Sequence, residues 1–125
     1  SKPREFRSSA GLPIFVGRSN RQNDRLTTRT AEKWDLWFHT QKIHGSHVIL
    51  STGGGQPDAQ SIAEAASLAA YFSQAQSSTK VPVDFTQVKF VKKPAAAKPG
   101  MVVYTNYQTV LADPNEELVK HLLVK

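Results

Sequence analysis

Apolar residues fall along the chain in short separated runs, and the spacing inside each run selects an element. Leu12-Pro13-Ile14-Phe15-Val16, stopped by Gly17, reads as a strand entered from a turn over residues 6–11. From Asn20 to about Ala31 the pattern is helical, with Asn20 as the cap. Only Leu26 and Ala31 are clearly apolar there, so this helix is expected to lie on the surface with little to bury. Leu36-Trp37-Phe38-His39 and His47-Val48-Ile49-Leu50 read as two further strands about a turn at His44-Gly45-Ser46, and the period of two sets His39 beside Trp37 and opposite Phe38.

Ser51 to Pro57 is a flexible connection into the best helix of the chain, residues 59–76, capped by Asp58 or Ser61. Ser61 with Glu64 has the form of a capping box. Ile62, Ala65, Ala66, Ala69, Phe72 and Ala75 recur at helical spacing, and so many alanines imply close packing on a sheet. Residues 81–93 alternate as a strand, Met101 to Thr105 and Gln108 to Leu111 form a hairpin about Asn106, and residues 116–124 form a short helix. The expected fold is α+β: one domain over residues 1–125, with a mostly antiparallel or mixed sheet of five or six strands, the Ala-rich helix packed on it and shorter surface helices. No internal repeat is present.

Composition narrows the functional classes. A length of 125 residues suits one domain, and the absence of Cys removes disulfides, thiolate metal sites and Cys nucleophiles. No run approaches the roughly 18 apolar residues of a membrane span, and the first residues lack the apolar segment of a signal peptide. The expectation is a cytoplasmic chain with no membrane partner, and the missing initiator Met fits a fragment of a longer protein. The formal charge of +6 is concentrated: residues 1–33 carry +5 and residues 80–98 carry +4. A fold that joins these two blocks would present one strongly positive face.

Within the first block Arg21, Arg25 and Arg29 stand four apart, with Arg18 extending the row, and so line one face of a helix. Like charges at that spacing repel by a few tenths of a kcal/mol per pair, so the row costs stability unless an anion is its partner or Asp24 and Glu32 neutralise it. Guanidinium groups match phosphate oxygens with paired donors, and Asn20, Gln22 and Asn23 add neutral donors. In the second block the strand period puts Lys89 and Lys93 on one face, with Lys92 and Lys98 flanking a proline-stiffened loop. Trp34, Trp37, Phe38, His39, His44 and His47 form an aromatic and imidazole cluster. Its spacing matches no common zinc pattern, which leaves packing, or stacking of Trp37 or His39 on an unpaired base. Gly53-Gly54-Gly55 lacks the Gly-Lys-Ser/Thr ending of a phosphate loop, and Ser46, His47 and Asp35 lack the elbow of a hydrolase nucleophile. No enzymatic activity, cofactor, metal or small-molecule substrate is expected.

Several stretches also occur together in a telling order. They are Val16-Gly17-Arg18-Ser19-Asn20-Arg21-Gln22-Asn23-Asp24, Asp35-Leu36-Trp37-Phe38-His39, Gly45-Ser46-His47-Val48-Ile49, residues 65–73, Val81-Pro82-Val83-Asp84-Phe85-Thr86, and Lys92-Lys93-Pro94 through Lys98-Pro99-Gly100-Met101-Val102. With this set, which covers nearly the whole chain, the sequence resembles the RNA-binding NFACT domain. That domain is the C-terminal module of the bacterial proteins historically called fibronectin/fibrinogen-binding proteins and of their archaeal and eukaryotic counterparts. The resemblance implies a part in ribosome-associated quality control, in which family members bind an obstructed large ribosomal subunit and recruit tRNA to extend the stalled chain. It implies RNA contact by Arg18, Asn20, Gln22, Asn23 and Asp24, by Trp37, His39 and His47, and by Lys92, Lys93 and Lys98, with tRNA or large-subunit ribosomal RNA as partner. Adhesion to fibronectin or another matrix protein is the alternative its historical name implies. Three positions depart from the family pattern: Ser19 where Asn is frequent, His44 where Pro is common, and Ala96 where Gly is usual.

Overall fold

Six strands lie side by side in the order β1-β2-β4-β3-β5-β8, every neighbouring pair antiparallel, in a computed structural model that describes all residues 1–125. The strands are β1 (Arg4–Arg7), β2 (Pro13–Val16), β3 (Leu36–Thr40), β4 (Val48–Leu50), β5 (Val81–Gln87) and β8 (Gln108–Ala112). A separate two-stranded ribbon is made by β6 (Val91–Lys92) and β7 (Val103–Tyr104). Helices α1 (Asn20–Arg25), α2 (Ala59–Tyr71) and α3 (Glu116–Leu122) complete the chain.

Strand alternation divides the side chains between two faces. Phe38, Val48, Leu50, Val83 and Phe85 join the large core with Ala65, Ala66, Leu68, Ala69 and Ala70 of α2, all buried. The four alanines remove side-chain bulk, letting the helix backbone approach the sheet, while each fully buried Phe, Leu, Ile or Val contributes roughly 1.5–3 kcal/mol. Trp37 and Ile49 point the other way and meet Leu26, with Phe15, Val102 and Tyr104 packed around them. The sheet therefore carries α2 on one face, and the α1 segment with the β6–β7 ribbon on the other.

Several expectations are corrected. Residues 4–7 are an edge strand rather than a lead into a turn: in Arg-Glu-Phe-Arg only Phe6 is buried, which conceals the strand period. Ser19, not Asn20, caps α1, accepting from the Gln22 N–H, and the helix changes at Leu26–Thr30 into a widened π turn. There the Thr28 hydroxyl donates to the Asp24 carbonyl (2.7 Å), competing with the α-helical ladder. Nor is this a surface helix with little to bury, since Gln22, Asn23, Leu26 and Thr27 all face inward.

The long helix stops at Tyr71, short of Gln76, because residues beyond it pair with the 44–46 turn: Ser46 N–H donates to the Phe72 carbonyl and Gln74 N–H to the His44 carbonyl. Asp58 caps α2 through the Ser61 N–H (3.0 Å), and Glu64 receives Ser9 instead of closing a box with Ser61. Residues 81–93 do not form one strand. Val88 and Lys89 donate to the carbonyls of Asp35 and Lys33, which pulls residues 88–90 into a 3₁₀ turn. Finally, β7 and β8 are no hairpin: β7 pairs with β6 and β8 with β5, the break falling at Asn106 with φ +56°.

Ala96, at the tip of the loop between β6 and β7, holds φ +61°, the left-handed region that costs a residue with a Cβ roughly 1–2 kcal/mol. Part of that is offset because Gly loosens the unfolded chain. Ala96→Gly should raise the unfolding free energy by about 0.5–1 kcal/mol in urea denaturation; a comparable loss would show that this backbone is not strained.

Candidate nucleic-acid interface

The two basic blocks meet at Gly100. Its N–H donates to Asp24 Oδ1 on α1 (3.1 Å), and its carbonyl accepts from His47 Nε2 (3.1 Å). The backbone here has φ +82°, and an added Cβ would stand 3.3 Å from the Asn20 carbonyl, so conformation and close approach both call for Gly. Lys93 Nζ reaches the same Asp24 oxygen at 3.1 Å. A hydrogen bond to a charged acceptor is worth about 1.5–3 kcal/mol, whereas a partly exposed ion pair contributes about 0.2–1 kcal/mol, so Gly100 rather than Lys93 carries most of the attachment. The Gly100 N–H, with Lys93 behind it, holds the Asp24 carboxyl below its ordinary range. A second tie lies further along, where Lys89 N–H donates to the Lys33 carbonyl (3.0 Å).

His47 anchors the floor. It is 2% exposed, and because the Gly100 carbonyl can only accept, Nε2 carries the proton and Nδ1 accepts from the Thr27 hydroxyl (2.7 Å). The π turn brings Thr27 to this position. Burial, followed by the neighbouring His39, pushes the His47 imidazole down from 6.5 to about 4. Its backbone N–H donates to Asn23 Oδ1 (3.1 Å), and a Cβ on Gly17 would fall 1.9 Å from that oxygen. Gln22 closes the start of α1, its side chain accepting from the Arg18 N–H (2.7 Å) while its own N–H bonds Ser19.

Part of the expected contact set is therefore committed to the protein itself. Gln22, Asn23 and His47 are buried and hydrogen-bonded internally, Trp37 is 0% exposed, and Asp24 is engaged by Gly100 and Lys93. These five hold the loop and the start of α1 in place, and the Trp37 ring is buried beneath Tyr104. His39 stays partly exposed beside Trp37 as the strand period requires, ring centroids 5.7 Å apart and nearly parallel. Burial lowers its imidazole below the ordinary value, and Nδ1 donates to the Thr40 carbonyl (2.7 Å).

The cations behave differently. Arg18, Asn20, Arg21, Arg25 and Arg29 are all exposed, on the side of the segment opposite Gln22, Asn23, Leu26 and Thr27. Of the sixteen Lys and Arg residues only Lys93 and Lys120 form ion pairs. Asp24 and Glu32 thus leave the Arg row unneutralised. Lys92, Lys93 and Lys98 are exposed on the docked loop, but Lys89 and Lys93 do not share a strand face, because the 3₁₀ turn redirects Lys89 over the Phe90 ring at 5.2 Å.

Gly100, Thr27 and Tyr104 were not among the expected residues. Tyr104 covers the Trp37 indole at 4.6 Å between centroids, and its hydroxyl donates to buried Asp84 (2.6 Å). Burial, with the Asp84 hydrogen bond, raises the phenol well above its ordinary value. Asp84 also receives Thr109 and Gln41, so it pins the ribbon to the sheet. Only the Pro-Gly pair hinted at any of this.

The structure defines a small α+β platform whose guanidinium and ammonium groups, apart from Lys93 and Lys120, stand outside any ion pair. The chain is a member of the NFACT RNA-binding domain family: the family model described as the NFACT protein RNA binding domain matches residues 2–106. It is 50% identical over 114 residues to the Rqc2 homolog RqcH of Bacillus subtilis, covering 91% of this chain and 20% of that one. With the Rqc2 homolog RqcH of Streptococcus suis it shares 40% identity over 124 residues, 98% of this chain and 22% of the relative. The chain thus spans about a fifth of the length of these relatives. The solved C-terminal part of the fibronectin/fibrinogen-binding protein from Streptococcus suis superposes with a TM-score of 0.95 at 39% identity, over 99% of this chain and 50% of that one.

The buried imidazole makes stability depend on pH. Unfolded His47 takes up a proton near 6.5 and folded His47 only near 4, so stability is complete above about pH 6.5 and falls as pH drops toward 4. His39 acts in the same direction. Urea unfolding at about pH 5 should show a loss of roughly 2 kcal/mol relative to about pH 7.5, attenuated in His47→Gln; equal wild-type stability at both would contradict a neutral buried imidazole.

Proposed function

We propose that the chain docks structured RNA, tRNA or ribosomal RNA of the large subunit, through its phosphate backbone, and that it performs no catalysis of its own. The observation that supports this reading is the Gly100–Asp24 attachment, which with the Lys93–Asp24 pair ties the loop bearing exposed Lys92, Lys93 and Lys98 to the helix bearing exposed Arg21 and Arg25. Phosphate contacts of this kind position a protein on nucleic acid without reading sequence, and counterion release makes them steeply salt-dependent. Membership of the NFACT RNA-binding family and similarity to RqcH proteins support a place in ribosome-associated quality control in the cytoplasm. No helix is long and apolar enough to cross a membrane.

A matrix-adhesion role is the second reading, favoured by the likeness to the fibronectin/fibrinogen-binding protein of Streptococcus suis. The same exposed cations account for capture of acidic glycoproteins as a charge effect.

Replacing Arg21, Arg25 and Arg29 together by Gln should leave the thermal midpoint nearly unchanged, since none makes an ion pair. Affinity for tRNA and for an unrelated structured RNA should fall about equally, at least tenfold at low salt, and the log–log salt slope should lessen by about 2. Undiminished RNA binding in the triple variant would remove the Arg row from the interface. RNA binding insensitive to salt between about 50 and 200 mM would sink the phosphate-docking reading.

A further inference from the structure

We infer that the cleft beside the docked loop is a pocket for a single unstacked nucleobase, so that the domain holds RNA by one inserted base as well as by its phosphates. The inference rests on the RNA-docking reading and adds a ligand class to it. The cleft has a volume of about 420 Å³, and among its lining residues are Asn20, Trp37, His39, Lys42, Met101 and Tyr104. Volumes of roughly 300–1,000 Å³ are those of small-ligand sites.

Four features select a base. The walls are aromatic and preorganised: the Tyr104 ring is fixed by its hydroxyl on Asp84 and by packing on Trp37, while His39 is fixed through Thr40. Stacking on such rings is how unpaired bases are held, and it tolerates any base because every base has a π face. Second, no acidic residue lines the cleft, whereas Lys42 stands at it with φ +58°, a left-handed backbone usually left to Gly or Asn. A Lys kept in that conformation, with no ion pair, fits an anionic chain passing the mouth. Third, Met101 is 61% exposed at the cleft, an adaptable apolar surface with nothing of this protein covering it. Last, the enclosed Trp37 indole N–H meets no acceptor in the protein, the one such side-chain atom in the chain, and Trp37 is among the residues that line this cleft. Buried donors are otherwise almost always paired. Asn20, between exposed Arg18 and Arg21 in sequence, and Gly100, two residues beyond exposed Lys98, both line the cleft, which sets it next to the two basic segments.

The test uses nitrogen-15-labelled protein and three probes: pentauridylate, pentaadenylate and an abasic ribose-phosphate pentamer. The two base-bearing pentamers should shift the Trp37 indole resonance, distinguished from Trp34 by Trp34→Phe, together with the amides of Arg25 and Arg29. The abasic pentamer should shift only the arginines and bind about tenfold more weakly, the range expected for one stacked base. Met101→Trp, which fills the mouth, should erase the difference between the base-bearing and abasic probes. Equal affinities for all three in the wild-type protein, with the Trp37 indole unmoved and the arginines shifting, would overturn the pocket and leave phosphate docking standing. Failure of every pentamer and of structured RNA to bind would overturn both.

Discussion

One residue's backbone organises this side of the domain. Gly100 is held on both sides, its N–H donating to the Asp24 carboxylate and its carbonyl accepting from the neutral His47 imidazole. The Lys-rich loop's other ties to the domain are the Lys93–Asp24 pair, the Tyr104–Asp84 bond, the Thr86 hydroxyl on the Thr105 carbonyl and the packing of Val102 and Tyr104 around Trp37. With them, a surface that like-charge repulsion should spread apart is kept together. On the proposed reading, the positive potential so gathered is what an anionic partner would relieve.

The remaining polar interior serves the same point. His47 must stay neutral to accept from Thr27 while donating to Gly100, and burial secures that state. Thr27 reaches it because the helix widens just beyond Arg25, and Asn23 reaches the His47 backbone because Gly17 leaves room for its side chain. A motif dense in hydrogen-bonding residues thus separates into an inner set that builds and an exposed outer set, Arg18, Asn20 and Arg21, in which Arg18 Nε donates to the Lys2 carbonyl. The same division runs along β3: Phe38 seals the core under α2 while Trp37 and His39 floor the opposite face.

Much of this was legible in the residues. The period of two over Leu36–Thr40 and the Ala-rich helical spacing from Ala59 identified the sheet and the helix that packs on it, and the α+β class followed. The charge blocks were equally plain, and the ordered motifs led to the family that the chain belongs to. Where local pattern failed, a long-range contact had overridden it. Phe6 alone marks β1, the 81–93 run is broken by carbonyls from Lys33 and Asp35, and the long helix yields its last turn to the 44–46 strand-like segment. The site suffered from the opposite problem. Gln, Asn, Asp and His look alike whether they face a ligand or satisfy buried backbone donors, so Gln22, Asn23 and His47 read as contacts although their partners are internal. Tyr104 carried no local signal at all.

If position rather than total charge makes the positive face, tRNA binding to Asp24→Ala across a salt series will show it, with circular dichroism verifying the fold. The substitution raises the formal charge by one yet frees the Gly100 amide and Lys93. Affinity should fall about tenfold and the salt slope lessen by about 2, as Lys92, Lys93 and Lys98 leave the Arg row. Binding unchanged or tightened in the folded variant would contradict this, because charge alone would then suffice.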